Sequence, residues 1–249
     1  MLGDQVNFSS SNVASSSGSA GSAQRPIEAC IFDFDGTLVD SEANYLKADQ
    51  AMLQEYGINF TKEMKTEFVG RGNAEMVATL AQRYHLPADG PTLLAKKNKL
   101  YLKFALADTP VFAPMRQLLK ELQQIAFPLA VASGTSRSIL DALLKKTNLA
   151  PFFSVVLSSE EVAAPKPAPD VFLAAAAKLG VPAENCLVIE DSPYGVLAAQ
   201  KAGMRVVAIP DPEVTGTLAP ELQTADLLFA HGMKSVDAAA ILAWIKQFS

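Results

Sequence analysis

Cysteine is scarce in this 249-residue chain. Its two cysteines, Cys30 and Cys186, lie far apart in apolar runs. That excludes a disulfide framework and the paired spacing of a zinc site. Both read as small buried hydrophobes, and a reduced, cytoplasmic setting is expected. A basic surplus is also missing: 21 Lys and Arg face 26 Asp and Glu, for a net charge of -5. Proteins that grip a nucleic-acid backbone usually carry the opposite balance, so nucleic acid is not an expected partner. A small phosphorylated metabolite remains open, because it asks only for a local positive site. No apolar run approaches the roughly 18 residues of a membrane span, so no membrane partner is expected. The first residues lack the basic start and apolar centre of a signal peptide. Histidine occurs only as His85 and His231, with no partners at ligand spacing, and neither receives a role.

What is present is the composition of a globular protein, 49% hydrophobic and 19% charged. Residues 1–24 are the exception. Ser9 to Ala23 is nearly all Ser, Gly, Ala and Asn, too poor in apolar side chains to offset the entropy of ordering, so a flexible tail is expected.

Beyond the tail, Ile27 to Phe32 reads as a buried strand and Ser41 to Tyr56 as a helix, with Ser41 as N-cap and Gly57 as stop. From about Thr61 to Ala107 the apolar residues recur at helical spacing, interrupted at Gly70–Asn73 and Leu86–Pro91. After Pro110 and Pro114 strands and helices alternate to the end of the chain. The expected fold is α/β: a Rossmann-like parallel sheet with helices on both faces, carrying an inserted α-helical cap. The expected division is core at 25–42 and 111–249, cap at 43–110.

In such a sheet ligands bind beyond the carboxyl ends of the strands, and the polar clusters of this chain fall there. The first strand runs into Asp33-Phe34-Asp35. A later one runs into Ser133-Gly134-Thr135-Ser136, another into Glu190-Asp191-Ser192, and Lys166 stands between two prolines before a helix. Each cluster has an ordinary reading: an N-cap, a strand exit, a solvated loop lysine. Together they place up to four carboxylates in one region. These cannot all ionise without compensation, which a hard cation such as Mg²⁺, with lysine, would supply. A carboxylate can attack phosphorus, and a second one two residues on can move the proton. The hydroxyl of Ser133 and nearby N–H groups could hold phosphate oxygens.

These residues resemble the haloacid dehalogenase superfamily of hydrolases over roughly 27–230. The resemblance rests on Asp33-Phe34-Asp35-Gly36-Thr37-Leu38-Val39-Asp40-Ser41-Glu42, on Ser133-Gly134, on Lys166-Pro167-Ala168-Pro169-Asp170, and on Ile189-Glu190-Asp191-Ser192-Pro193-Tyr194-Gly195-Val196. The helical insert is similar to the small cap of β-phosphoglucomutase-like phosphatases. The resemblance implies a Mg²⁺-dependent phosphatase acting on a small sugar or metabolite phosphate through an aspartyl-phosphate. Asp33 would be the nucleophile and Asp35 the acid and base. Ser133 and Gly134 would bind phosphate, and Lys166 would hold nucleophile and phosphate together. The metal would be held by Asp33, the main-chain carbonyl of Asp35, Asp191 and, directly or through water, Glu190. Dehalogenases of the superfamily lack the second aspartate, and so do phosphonatases. The mutases carry histidine at the position of Tyr45, so a phosphosugar mutase is the alternative reading, with a catalytically idle binding protein behind it. Substrate choice is expected at Tyr45 and at Arg71, in the Gly70–Asn73 break. Lys96, Lys99 and Lys103 share a helix face and read as a solvated stripe. Nothing in the sequence speaks to assembly, and a monomer is the default.

Overall fold

A computed structural model describes residues 25–68, 72–215 and 218–248. The expected tail and Arg71 lie outside the described residues. The strands are β1 (Ala29–Phe32), β2 (Leu129–Ser133), β3 (Val155–Ser158), β4 (Cys186–Glu190), β5 (Arg205–Ala208) and β6 (Leu227–Leu228). They form one parallel sheet in the order β3-β2-β1-β4-β5-β6. Strands β1, β2 and β4 are buried throughout, which explains the apolar runs that precede the polar ends of β2 and β4: a parallel strand covered on both faces has no polar side to show.

The helices are α1 (Glu42–Gln54), α2 (Lys62–Thr66), α3 (Asn73–Arg83), α4 (Gly90–Ala107), α5 (Ala113–Gln124), α6 (Arg137–Lys146), α7 (Asp170–Leu179), α8 (Pro193–Lys201), α9 (Pro212–Thr215) and α10 (Ala238–Lys246). One apolar cluster joins a sheet face to α5, α6 and α10 through Leu118, Leu140, Ile241 and Trp244. A second joins the other face to α7 and α8 through Phe172, Ala175, Val196 and Ala199. A third, away from the sheet, is built by Met52, Leu53, Phe60, Met76, Val77, Leu80 and Leu93. The expected cap therefore has an apolar centre of its own. It is not cleanly detached, because Ala48, Tyr101 and Ala105, from α1 and the second half of α4, pack into the first cluster.

The two segments that join this helical layer to the sheet lie side by side. Asp40 N–H donates to Pro110 O, and Phe112 N–H donates to Leu38 O. Asn44 is buried at the start of α1 and ties the two ends of the layer together. Its Nδ2 donates to Asp108 O at 2.7 Å and to Thr109 Oγ1 at 3.2 Å.

Helix α1 lies within two residues of the expected Ser41 to Tyr56, and Gly57 follows it at φ +73°. The cap expected of Ser41 is absent: its side chain accepts no hydrogen bond, and it sits at φ -102°, ψ -8°. That backbone is already near-helical, so Ser41 does not take the extended conformation that aims an N-cap oxygen at the first turn. Functioning caps include Asp89, which accepts from Thr92 N at 2.9 Å, and Ser192, which accepts from Gly195 N at 3.0 Å.

Candidate active site

The strand order reverses at the sheet's centre, where β1 lies between β2 and β4. Such a switch point leaves a crevice beyond the strand ends. Asp33 follows β1, Ser133 ends β2, and Glu190 ends β4 with Asp191 after it. Residues far apart in the chain thus become neighbours through strand pairing: Phe32 is aligned with Val131 on one side and Ile189 on the other. The Asp33 N–H continues the ladder to Ile189 O at 2.9 Å.

Lys166 links the two acidic clusters. Its Nζ donates to Asp33 Oδ1 at 2.6 Å, Glu190 Oε1 at 2.8 Å and Ala132 O at 3.1 Å, and it lies 4.7 Å from the Phe172 ring centre. All three ammonium hydrogens have acceptors. Burial opposes the charge, yet the two carboxylates hold Lys166 above its ordinary range. Both Glu190 oxygens are engaged: besides Oε1, its Oε2 accepts from Ser192 N at 2.7 Å and Ser192 Oγ at 2.9 Å. Gly195 is required beside it, since a Cβ there would stand 1.7 Å from Glu190 Oε1.

Asp33, Glu190 and Asp191 offer carboxylate oxygens within 4.8 Å of one another. Burial, more than Lys166 can offset, pushes Asp33 up to about 7, with Glu190 and Asp35 adding to the rise. Burial and the charges of Glu190 and Asp33 push Asp191 well above the usual carboxylate range. The site thus holds more negative charge than its own lysine compensates, and its hard oxygen donors suit a divalent cation. Gly36, at φ +78°, turns the chain after Asp35; a Cβ there would meet Asp191 Oδ2 at 2.2 Å. Thr37 Oγ1 donates to Asp191 Oδ1 at 3.3 Å.

Asp35 is held apart from this group. Tyr101 OH, from α4, donates to its Oδ1 at 2.8 Å, and Thr135 Oγ1 donates to its Oδ2. Because Thr135 gives its proton to Asp35, Tyr45 OH is the donor in its 2.9 Å contact with Thr135 Oγ1. The rings of Tyr45 and Tyr101 stack 3.9 Å apart. Ser133 is buried, and its Oγ accepts from Thr135 N at 3.0 Å, so its hydroxyl hydrogen remains available to a ligand.

A cavity of about 350 Å³ lies over these residues. Asp33, Asp35, Ser133, Gly134, Lys166, Glu190 and Asp191 form its floor, so every expected core residue reaches it. Tyr45 lines it too. Its far wall comes from α2, α3 and α4, including Lys65, Asn73, Met76 and Lys97. A neighbouring cavity shares Asp35, Asp191 and Tyr45 and reaches His231.

Sequence reasoning missed Thr135, Tyr101 and Lys97. Thr135 stood inside the recognised Ser133–Ser136 cluster. For the other two the available signal was their place in the apolar i, i+4 row Leu93, Lys97, Tyr101, Ala105, all buried; a lysine in such a row needs a buried partner.

The model of the haloacid dehalogenase-like hydrolases matches residues 30–209. A probable pseudouridine-5'-phosphatase of Drosophila melanogaster is 32% identical over 77% of this chain and 85% of its own length. A fructose-1-phosphate phosphatase of Escherichia coli strain K12 is 31% identical over 72% of this chain and 94% of its own. Among solved structures, CbbY from Rhodobacter sphaeroides in complex with phosphate superposes with a TM-score of 0.74 at 26% identity, covering 83% of this chain and 95% of that one.

Proposed function

The chain belongs to the haloacid dehalogenase-like hydrolases, and from that membership we propose that it hydrolyses a small sugar or metabolite phosphate monoester. One observation carries the reading: Asp33 and Asp35 enter one cavity in different settings. Asp33 is paired with Lys166, while Asp35 accepts from Tyr101 and Thr135. Two carboxylates in unlike environments can take unlike roles.

In the proposed reaction an Asp33 oxygen bonds to phosphorus as the bond from phosphorus to the leaving oxygen breaks. Asp35 gives that oxygen its proton. Asp35 then takes a proton from water, the water oxygen bonds to phosphorus, and inorganic phosphate leaves Asp33 regenerated. Lys166, Ser133 and the Gly134 N–H stabilise the transferring oxygens. Asp33, Asp191 and the Asp35 carbonyl would hold Mg²⁺, which when bound offsets the negative charge of carboxylates and phosphoryl group alike. Glu190 positions Lys166 and acts on the ion directly or through water. Residues 43–110 act as the cap, and Arg71, outside the described residues, is retained with Tyr45 as a specificity position.

A panel of phosphate esters, read by inorganic phosphate release with and without Mg²⁺, tests the function; no release from any ester overturns it. The mutase alternative has no observation of its own, since Tyr45 stands where the resemblance calls for histidine. Conversion of glucose 1-phosphate to glucose 6-phosphate would reverse that ranking.

A further inference from the structure

The cavity beside the active site has walls of a different character. The start of α1 supplies Asp40, Ser41 and Glu42, the loop after β5 supplies Asp211 and Glu213, and the loop after β6 supplies Lys234. Its volume is also about 350 Å³, and it meets the first cavity at Asp35 and Asp191. The two outer loops are fitted to each other: a Cβ on Gly232, at φ +72°, would stand 2.9 Å from both Pro210 O and Pro212 Cδ. Burial and the charge of Asp211 hold Asp40 above the usual carboxylate range, so these two acids share one space. Ser41 is 2% exposed and borders the cavity, yet its hydroxyl forms no hydrogen bond with a described residue. A buried polar group left this way calls for a partner, and here the partner must come from inside the cavity.

We propose that this second cavity is the entrance through which a hydrated divalent cation reaches Asp33 and Asp191. The proposal rests on the metal assignment made above. Charge separates the two cavities. Lys65, Lys97 and Lys166 line the first, which suits an incoming phosphate ester. Six carboxylates line the second, with Lys234 the one lysine among its described lining residues. They outnumber the cations even when Lys65 on Glu42, a protonated His231 and Arg71, outside the described residues, are all added to Lys234. Spacing decides the form of the ion. Among the described residues, the carboxylates that converge on one point are Asp33, Glu190 and Asp191. Those of the entrance do not converge in this way, and Mg²⁺ gives up its water reluctantly. They instead accept hydrogens from its water shell, as does the Ser41 hydroxyl. Six waters occupy roughly 180 Å³, which the cavity accommodates. Asp191 lines both cavities, so an ion leaving the entrance meets its first protein ligand while still in the field that drew it in.

Mn²⁺, which takes the same oxygen donors, tests this in the intact chain. A fluorescent chelator mixed rapidly with the loaded protein gives koff, titration against the same chelator gives Kd, and koff divided by Kd gives kon. The double variant Asp211→Asn with Glu213→Gln replaces two entrance carboxylates by amides of the same shape. Glu121→Gln with Glu184→Gln does the same at the other end of the sheet, where α5 leads into β2 and where β4 begins. At low salt the entrance variant should lower kon at least about fivefold and flatten its fall with ionic strength, while the remote variant should lower it less than about twofold. Equal kon in the two variants overturns the entrance. Mn²⁺ bound as tightly by a double variant Asp33→Asn with Asp191→Asn as by the wild type, or not bound by the wild type, instead overturns the metal assignment beneath it.

Discussion

The floor and the far wall of the cavity each bury a lysine against carboxylates, and they treat it differently. On the floor, Lys166 donates to three acceptors, and the Glu190 beside it accepts from Ser192. On the wall, Lys97 Nζ stands 2.6 Å from Asp49 Oδ1, and Lys65 Nζ lies 2.9 Å from Glu42 Oε1 and 3.9 Å from Asp49 Oδ2. A network in which each lysine hydrogen has its acceptor has one geometry and holds it, whereas longer ion pairs constrain their partners less. The floor thus holds its carboxylates in fixed positions, while the wall's pairs depend on how α1, α2 and α4 pack.

Removing the floor's charges should have the largest effect. Asp33→Asn deletes the proposed nucleophile and should lower kcat by about 10⁴-fold or more, with the thermal midpoint held or raised because a strained buried charge is gone. Retained turnover in a phosphate-release assay would break the floor's assignment. Next, Lys166→Met strands Asp33 and Glu190 without their cation. It should cost about 10²- to 10³-fold in kcat and about 3–5 kcal/mol of stability, measured by denaturant unfolding. Loss of activity with unchanged stability would mean that the network is less tightly coupled than its distances imply.

The steric limits of the floor come next. Gly195→Ala puts a methyl group where Glu190 Oε1 now lies, 1.7 Å away. The carboxylate must move off Lys166, so about 1–3 kcal/mol is lost, readable as a fall in the thermal midpoint, along with activity. An alanine tolerated without cost would mean that Glu190 has a second position of equal energy.

Acidity separates floor and wall more gently. Asp33 is raised by burial to about 7 from an ordinary 3.8. A raised carboxylate contributes stability that is present below its unfolded value and is lost as pH climbs through the folded one. Metal-free protein should therefore lose thermal stability between about pH 4 and 7. A divalent cation that prefers the ionised site should raise the midpoint more at about pH 8 than at about pH 5. Equal metal stabilisation at both values would argue against Asp33 as a ligand.

The sheet and the floor were legible from residues alone, because each signal is local. Unbroken apolar runs mark strands buried on both faces, and acid placed directly after such a run, as at Asp33 and Glu190, has no ordinary core role. Even the partnering followed, since a parallel sheet gathers its strand ends at one edge. The wall was illegible for the opposite reason. Asp49 and Lys65 look like ordinary solvated helix charges in sequence, and their burial results from how α1, α2 and α4 pack. Ser41 failed for a related reason: its residue type suits a cap, but the turn after Asp40 sets a backbone that does not use it.

The smallest expected effect sharpens the comparison most, because it concerns adjacent residues. Lys96 and Lys97 follow one another on α4, roughly 100° apart around the helix. Lys96 turns outward to Glu55, with 31% of its side chain exposed, whereas Lys97 is 1% exposed against Asp49. Lys96→Met should change stability by no more than about 0.5 kcal/mol, since exposed pairs gain little over solvation, and should leave KM untouched. Lys97→Met leaves Asp49 buried with only Lys65 near it, so it should destabilise by about 3–5 kcal/mol. The same chemical change one residue apart then measures burial alone. Similar losses from both would show that α4 is rotated from the orientation described, and the wall facing the substrate would have to be rebuilt from the other side of that helix.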